Sequence, residues 1–307
     1  MSEIATVLTV DDSEQSVFFA TIKLLIRAPN LSTDLTYPAE QTMQNKTSLV
    51  TGASDGIGLE CCKILAAKGY NLILVSRRQA LLDEIAESLK AQYPTITCTV
   101  LAADLAAPQA AQELFQQVQE QGLEVDFLIN NAGLLQNGFF TQLDLATQES
   151  MINVNILALT SLTHLFANNM TSRNGGHILN VASLAAWTPI PNQNVYAATK
   201  AYVLSFTQAL HDELKASKSG VTVTALCPGY TATKMMDNPA QGGKLLVPSS
   251  MLQSPREVAE QGIEACLAGR STIVTGLANR ITVAITRLFS KMALAKIAGR
   301  YYRSNMH

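Results

Sequence analysis

Cysteine and histidine are too few and too scattered along these 307 residues to build a metal centre. Cys61, Cys62, Cys98, Cys227 and Cys266 contain no C-x-x-C, so neither a zinc site nor a redox dithiol is expected. Their odd number fits reduced, buried thiols in a cytoplasm. His164, His177, His211 and His307 have no ligand spacing, so no metal is expected, and His177, in an expected strand, reads as a packing residue. An excess of one charge is also missing, since a formal charge of −2 gives no reason to expect nucleic acid. No apolar run reaches the length of a membrane span; the nearest, residues 17–26, is interrupted by Lys23. Glu3, Asp11, Asp12 and Glu14 stand where a secretory signal would carry its basic region. Repeats and low-complexity tracts are absent too. What is abundant is apolar residues, 48% of the chain, ample for one large α/β core without a second domain.

A glycine-rich turn lies near the start of that core. Thr51-Gly52-Ala53-Ser54-Asp55-Gly56-Ile57-Gly58 follows a short apolar run, residues 47–50, and precedes residues 59–67, which have helical spacing. Strand, glycine turn and helix in that order bring backbone N–H groups and a helix N-terminus to a phosphate. Glycine is needed because a Cβ would hold a pyrophosphate away from the main chain. The spacing is Gly-x-x-x-Gly-x-Gly, distinct from the Gly-x-Gly-x-x-Gly dinucleotide fingerprint.

A second strand, residues 71–75, leads into Ser76-Arg77-Arg78. An NAD site places a carboxylate at this point for the ribose 2′-hydroxyl, yet no Asp or Glu occurs between Glu60 and Asp83. Two guanidinium groups suit a 2′-phosphate instead. The cofactor expected is therefore NADP(H), with Arg77 the main clamp and Ser76 its helper, while Arg78 fits an ordinary solvated helix start better.

Tyr196-Ala197-Ala198-Thr199-Lys200, with Ser183 upstream, supplies a proton donor, a cation and a hydroxyl. A helix over 195–217 projects Tyr196 and Lys200 from one face. A free phenol ionises near 10, too high for efficient acid–base work at neutrality. An ammonium about 4 Å away is worth roughly 4 kcal/mol at an effective dielectric near 20, enough to bring the phenol toward the working range.

These residues together resemble the short-chain dehydrogenase/reductase family in its single-domain, NADP-preferring form, over residues 46–276. Thr51 to Gly58 is similar to that family's TGxxxGIG turn. Asp104, followed by Leu105, matches the acid beside the adenine ring. Asn130-Asn131-Ala132-Gly133 matches the NNAG motif that supports the sheet and cofactor. Asn155, Ser183, Tyr196 and Lys200 match the catalytic tetrad. Pro228-Gly229-Tyr230-Thr231-Ala232-Thr233 matches the segment beside the nicotinamide. The resemblance implies a doubly wound parallel sheet of the Rossmann type, and near-continuous apolar runs at 71–75, 125–129, 176–181 and 221–226 fit strands buried on both faces. It implies NADP(H)-dependent interconversion of a carbonyl and an alcohol. Tyr196 exchanges the proton and Ser183 holds the oxygen. Lys200 binds the ribose and lowers the Tyr196 pKa, and Asn155 positions a water relay. It also implies a homo-oligomer paired through the long helices after Asp144 and Val195. A cofactor-sensing protein, or an epimerase or dehydratase, on the same scaffold are the alternatives.

Trp187, Pro189, Ile190 and Pro191, with Met235, Met236 and Leu245, are expected beside the carbonyl and suggest an apolar substrate or simple loop packing. Gly242-Gly243 suggests a lid. Residues 1–44 form an N-terminal extension, either a mis-assigned start before Met43 or a segment docking through 17–26; residues 45–276 form the catalytic domain. Residues 277–307 form a basic tail: after Glu264 there is no acid, while Arg270, Arg280, Arg287, Lys291, Lys296, Arg300 and Arg303 are basic. From 280 to 292 one helical face is basic and Ile281, Ile285, Leu288, Phe289 and Met292 gather on another. Packing near the lid, a dimer contact and an interfacial membrane helix are the three readings.

Overall fold

The computed structural model describes residues 46–173, 175–237 and 247–305. The expectations for residues 1–44, for Gly242, Gly243 and Leu245, and for the Met236 side chain lie outside the described residues.

Seven short apolar segments form one parallel sheet in the order β3-β2-β1-β4-β5-β6-β7. They are β1 (Thr47–Thr51), β2 (Asn71–Ser76), β3 (Cys98–Ala102), β4 (Phe127–Asn130), β5 (Gly176–Val181), β6 (Val221–Cys227) and β7 (Thr272–Val274). The helices are α1 (Gly56–Ala67), α2 (Gln79–Gln92), α3 (Ala110–Glu120), α4 (Leu145–Ile152), α5 (Leu159–Ser172), α6 (Asn194–Ala216), α7 (Pro255–Leu267), α8 (Leu277–Thr286) and α9 (Lys291–Asn305). The chain is a single Rossmann-like domain, as its pattern of runs implies.

Central β1 is buried along its whole length because helices cover both faces of the sheet. On one face Cys62 and Leu65 of α1, Leu82 of α2 and Ile263 of α7 pack on Val50, Leu74 and Ile129. On the other, Leu114 of α3 and Phe166 of α5 pack on Leu49, Ile73 and Leu128. Val50 of β1 pairs with Leu74 of β2 on one side and Ile129 of β4 on the other. Strand order reverses between β1 and β4, and the carboxyl ends there open a crevice.

Two readings are corrected. The continuous helix Leu145–Ser172 is long and apolar enough to cross a membrane. Polar Gln148, Asn153 and Asn155 interrupt its sequence, which hid this; half of it is buried and Leu162, Phe166 and Met170 pack on the sheet, so it is a core helix. The tail, expected as one helix through 280–292, breaks at 287–290. Leu288 N–H donates to Ile285 O at 2.9 Å and Phe289 N–H to Thr286 O at 3.3 Å, three-residue closures that end α8. Ser290 then caps α9, its hydroxyl accepting from Ala293 N–H at 3.2 Å.

Candidate active site

The glycine turn joins β1 to α1 at the strand-order reversal. Gly52 has φ +66°, a left-handed conformation that strains any other residue. A Cβ on Gly58 would strike the Gly52 carbonyl oxygen and Asn131 Nδ2. Asp55 caps α1 by accepting from Gly56 N–H at 2.8 Å. The Asn130 motif is tied to the same turn: Thr51 Oγ1 accepts from Asn131 N–H and Ala132 N–H, both at 3.0 Å, and Asn131 Nδ2 donates to Thr51 O at 3.0 Å. Asn130 points into the sheet, donating to Asn180 Oδ1 at 2.9 Å and Thr163 Oγ1 at 3.0 Å. The result is a rigid cradle floored by backbone, which suits a pyrophosphate at a helix N-terminus.

At the outer end of the cradle stand the two arginines. Both are exposed, but Arg78 Nη2 donates to Ser54 Oγ at 2.8 Å, and Arg78 N–H to Ser76 Oγ at 3.3 Å. Arg78, expected as a plain helix start, is thus the guanidinium held against the glycine turn, with Arg77 beside it in the chain. Asp104 is exposed two residues past β3 and accepts from Ala106 N–H at 3.1 Å, while Leu105 is buried in the core.

The four tetrad positions come from four elements. Ser183 follows β5 and caps a 3-10 turn (Leu184–Trp187), its hydroxyl accepting from Ala185 N–H at 3.1 Å. Its side chain also acts on the Tyr196 phenol, whose pKa it holds down in part. Lys200, one helical turn past Tyr196, is buried and donates to Val181 O at 2.8 Å. Asn155 lies in a π-helical turn (Asn153–Ala158) between α4 and α5, a distortion often found at functional sites. Fully buried, its Oδ1 accepts from Leu134 N–H at 2.8 Å and its Nδ2 donates to Leu134 O at 2.9 Å and Thr199 Oγ1 at 3.1 Å. These are long-range bonds in place of a local helix bond, and they fix the chain just beyond Gly133 and the helix carrying Tyr196.

The electrostatics differ from the expectation. Lys200 Nζ is 5.8 Å from the Tyr196 ring centroid and is drawn to the Val181 carbonyl. Burial pushes the Tyr196 phenol up, offset in part by the Ser183 side chain. Burial also pushes the Lys200 ammonium down, to about 8. It is the lysine, not the tyrosine, that moves toward neutrality.

The crevice encloses about 380 Å³. Gly52, Asp55, Gly56, Ile57, Asn131, Ala132, Gly133, Ser183, Tyr196, Lys200, Pro228, Gly229, Thr231 and Thr233 all line it. Gly58 stands behind the turn, and Ser54, Ser76, Arg77, Arg78, Asp104 and Leu105 lie outside this lining. Gly229 N–H donates to Gln253 Oε1 at 3.2 Å and Thr231 Oγ1 to Gly229 O at 3.1 Å, which fixes the Pro228 segment against the mouth.

Substrate-side residues are less well foreseen. Ile190 and Met235 line the crevice, but Trp187 does not. Its ring packs on the buried cluster of Ala182, Val203 and Cys227, lies beneath the Arg287 guanidinium, 5.1 Å away, and lines a neighbouring cavity with Pro189, Pro191 and Lys291. The sequence reading missed Leu135, Asn137 and Gln193, and also Thr282, Ala298 and Tyr302 of the tail. Gln193 Nε2 donates to Asn137 Oδ1, and the Tyr302 and Tyr230 hydroxyls are 2.8 Å apart. Gln193, three residues before Tyr196, was within reach of sequence reasoning; the tail residues carried no signal.

A family model described as short chain dehydrogenase matches residues 46–242. The ketoacyl reductase HetN of Nostoc sp. (strain PCC 7120) is 33% identical over 249 residues, 80% of this chain and 84% of that protein. The very-long-chain 3-oxoacyl-CoA reductase of Rattus norvegicus is 34% identical over 194 residues, 61% of this chain and 60% of that protein. The short-chain dehydrogenase from Sphingobium yanoikuyae in complex with NADPH superimposes with a TM-score of 0.69 at 29% identity, covering 79% of this chain and 94% of that one.

Proposed function

Because this chain belongs to the short-chain dehydrogenase family, a family of oxidoreductases, we propose that it uses NADP(H) to interconvert an apolar ketone and its alcohol, a 3-oxoacyl thioester first among candidates. One observation carries the reading. The Ser183 hydroxyl, the Tyr196 phenol and the Lys200 ammonium stand in the crevice whose other end is the backbone cradle of Gly52 and Gly58.

The cradle fits a dinucleotide, since Gly52 and Gly56 line it, a Cβ at Gly58 would strike the Gly52 carbonyl behind it, and the α1 N-terminus faces it. Arg78 and Ser54, with Arg77, would hold the 2′-phosphate; Lys200 and the Asn131-Ala132-Gly133 backbone would flank the ribose and nicotinamide. When bound, the cofactor supplies or accepts a hydride at the carbonyl carbon.

Everything else falls to the protein. Tyr196, kept protonated by its burial, donates its proton to the carbonyl oxygen, and the O–H of the alcohol forms as the phenol's bond breaks. Ser183 donates a hydrogen bond to the same oxygen. Lys200, shifted to about 8, is suited to return a proton toward the phenolate. Both N–H groups of Asn155 are engaged, so it acts by holding Leu134 and Thr199 in place. Leu135, Leu184, Ile190, Met235 and Ala298 make the remaining wall apolar, which supports a lipophilic substrate, and the ketoacyl reductase relatives support the acyl class.

The test is NADPH oxidation with 3-oxoacyl thioesters and other apolar ketones, with NADH in parallel. Tyr196→Phe should cut turnover by about 100-fold or more while leaving cofactor fluorescence titration unchanged. Absence of turnover across the panel, or undiminished turnover in Tyr196→Phe, overturns the reading. A homo-oligomer belongs to it as well: Leu145, Ile152, Leu157 and Tyr202 stand exposed on α4, the π turn and α6. Leu157→Arg should reduce the particle mass in sedimentation equilibrium; an unchanged mass sinks that assignment.

A further inference from the structure

The tail has two sides. Thr282 of α8 and Ala298 and Tyr302 of α9 face inward and line the crevice, with Val283 and Leu294 buried beside them. The other side is covered by nothing among the described residues. Leu288 is 81% exposed, Met292 68%, Leu277 66% and Phe289 44%. Leu288 and Phe289 sit at the corner where α8 ends and α9 begins, so the apolar groups project as a tip. Beyond the tip, Met292, Lys296, Arg300 and Arg303 follow at helical spacing along the exposed side of α9. Arg270, Arg280, Arg287, Lys291, Lys296, Arg300 and Arg303 all lie in the stretch after Glu264, which contains no acid.

We propose that the outer side of α8 and α9 docks on the surface of an anionic lipid bilayer. Apolar side chains projecting from a convex corner need an environment that yields to their shape, which the headgroup–acyl boundary does. A row of cations beside them needs a negatively charged plane, and an anionic leaflet supplies one. A second copy meets this surface poorly, because a two-fold contact would set cation against cation. Intramolecular packing and surface docking thus belong to opposite sides of the same two helices. Docked in this way, the protein would hold its crevice walls, Thr282, Ala298 and Tyr302, on the bilayer side.

The experiment is co-flotation of the full chain with vesicles of mixed phosphatidylserine and phosphatidylcholine, and with phosphatidylcholine alone. Flotation with the anionic vesicles only, diminished by salt, is expected. Lys296→Gln/Arg300→Gln should lower the partition coefficient roughly 30-fold, at about tenfold per 1.4 kcal/mol and about 1 kcal/mol per cation. Leu288→Ser/Phe289→Ser should lower it by a similar factor. Both variants should keep the wild-type unfolding temperature and turnover of a water-soluble ketone. Equal flotation on both vesicle types, no flotation, or no loss in either pair of substitutions overturns the proposal. A lipid-free dimer abolished by Leu288→Ser/Phe289→Ser also overturns it, in favour of a second copy.

Discussion

Arg78 and Ser54, 24 residues apart, are joined by a 2.8 Å hydrogen bond from guanidinium to hydroxyl. The bond pins a cation of the segment after β2 to the middle of the glycine turn. Arg78→Ala should raise the Kd for NADPH by about 10- to 100-fold and leave that for NADH nearly unchanged, measured by cofactor fluorescence. Arg77→Ala should act in the same direction. Equal losses for both cofactors would remove the 2′-phosphate from this corner.

The glycine turn and the Asn130 motif were legible because their demands are local. A left-handed Gly52 and a Gly58 with no room for a Cβ leave a fixed spacing in the sequence. The alternation of strands and helices was legible for a similar reason, since burial on both faces enforces unbroken apolar runs. Direction was not legible. Trp187 adjoins the site along the chain, yet its ring leaves it, held by Arg287 from a segment 100 residues on. Periodicity over 280–292 suggested one helix, although Ser290 marked a cap that ends such a run. Tyr302 reaches Tyr230 only through tertiary packing. The Tyr196–Lys200 spacing was read correctly, but burial drives the phenol's pKa up, against the expected direction.

Lys200 should make stability depend on alkaline pH. Below about 8 its ammonium is charged in both the folded and unfolded chain, and the folded state bears the full cost of burying it. As pH rises past about 8 the folded chain releases that proton, while the unfolded chain keeps it until about 10.5. The unfolded state then binds more protons, so stability rises with pH across this window. Relative to Lys200→Met, the wild type should gain up to about 3 kcal/mol between these limits, read from urea unfolding. Burial pushes the Cys61 and Cys266 thiols up to about 12 and works the opposite way, but it does so in both proteins and cancels in the difference. The Cys227 thiol, also up at about 12, interacts with the Lys200 charge and contributes to the difference itself. A pH-independent difference would refute the shift.

Gly58→Ala tests the cradle. The added methyl meets the Gly52 carbonyl, a backbone atom that cannot swing aside. The variant should lose about 2 to 3 kcal/mol of stability and most of its dinucleotide affinity. Calorimetry and cofactor titration would report the two losses separately. Retained affinity would show that the turn is not where the pyrophosphate lies.

Tyr302→Phe removes one hydroxyl of the bond to Tyr230. The expected cost is about 1 kcal/mol in stability. Because Tyr302 lines the substrate side of the crevice, KM for the ketone should change severalfold while the cofactor Kd stays fixed. A change confined to cofactor binding would contradict this assignment.

That Tyr302 completes the crevice has a consequence for biosynthesis. A chain emerges from its N-terminal side during synthesis. Strands β1 to β7 and the glycine turn are all translated before α8 and α9, so the nascent chain carries the residues of its cofactor cradle before those of its substrate wall. Until α9 docks, the crevice lacks the wall that Ala298 and Tyr302 supply, so its selectivity is acquired after its cofactor cradle.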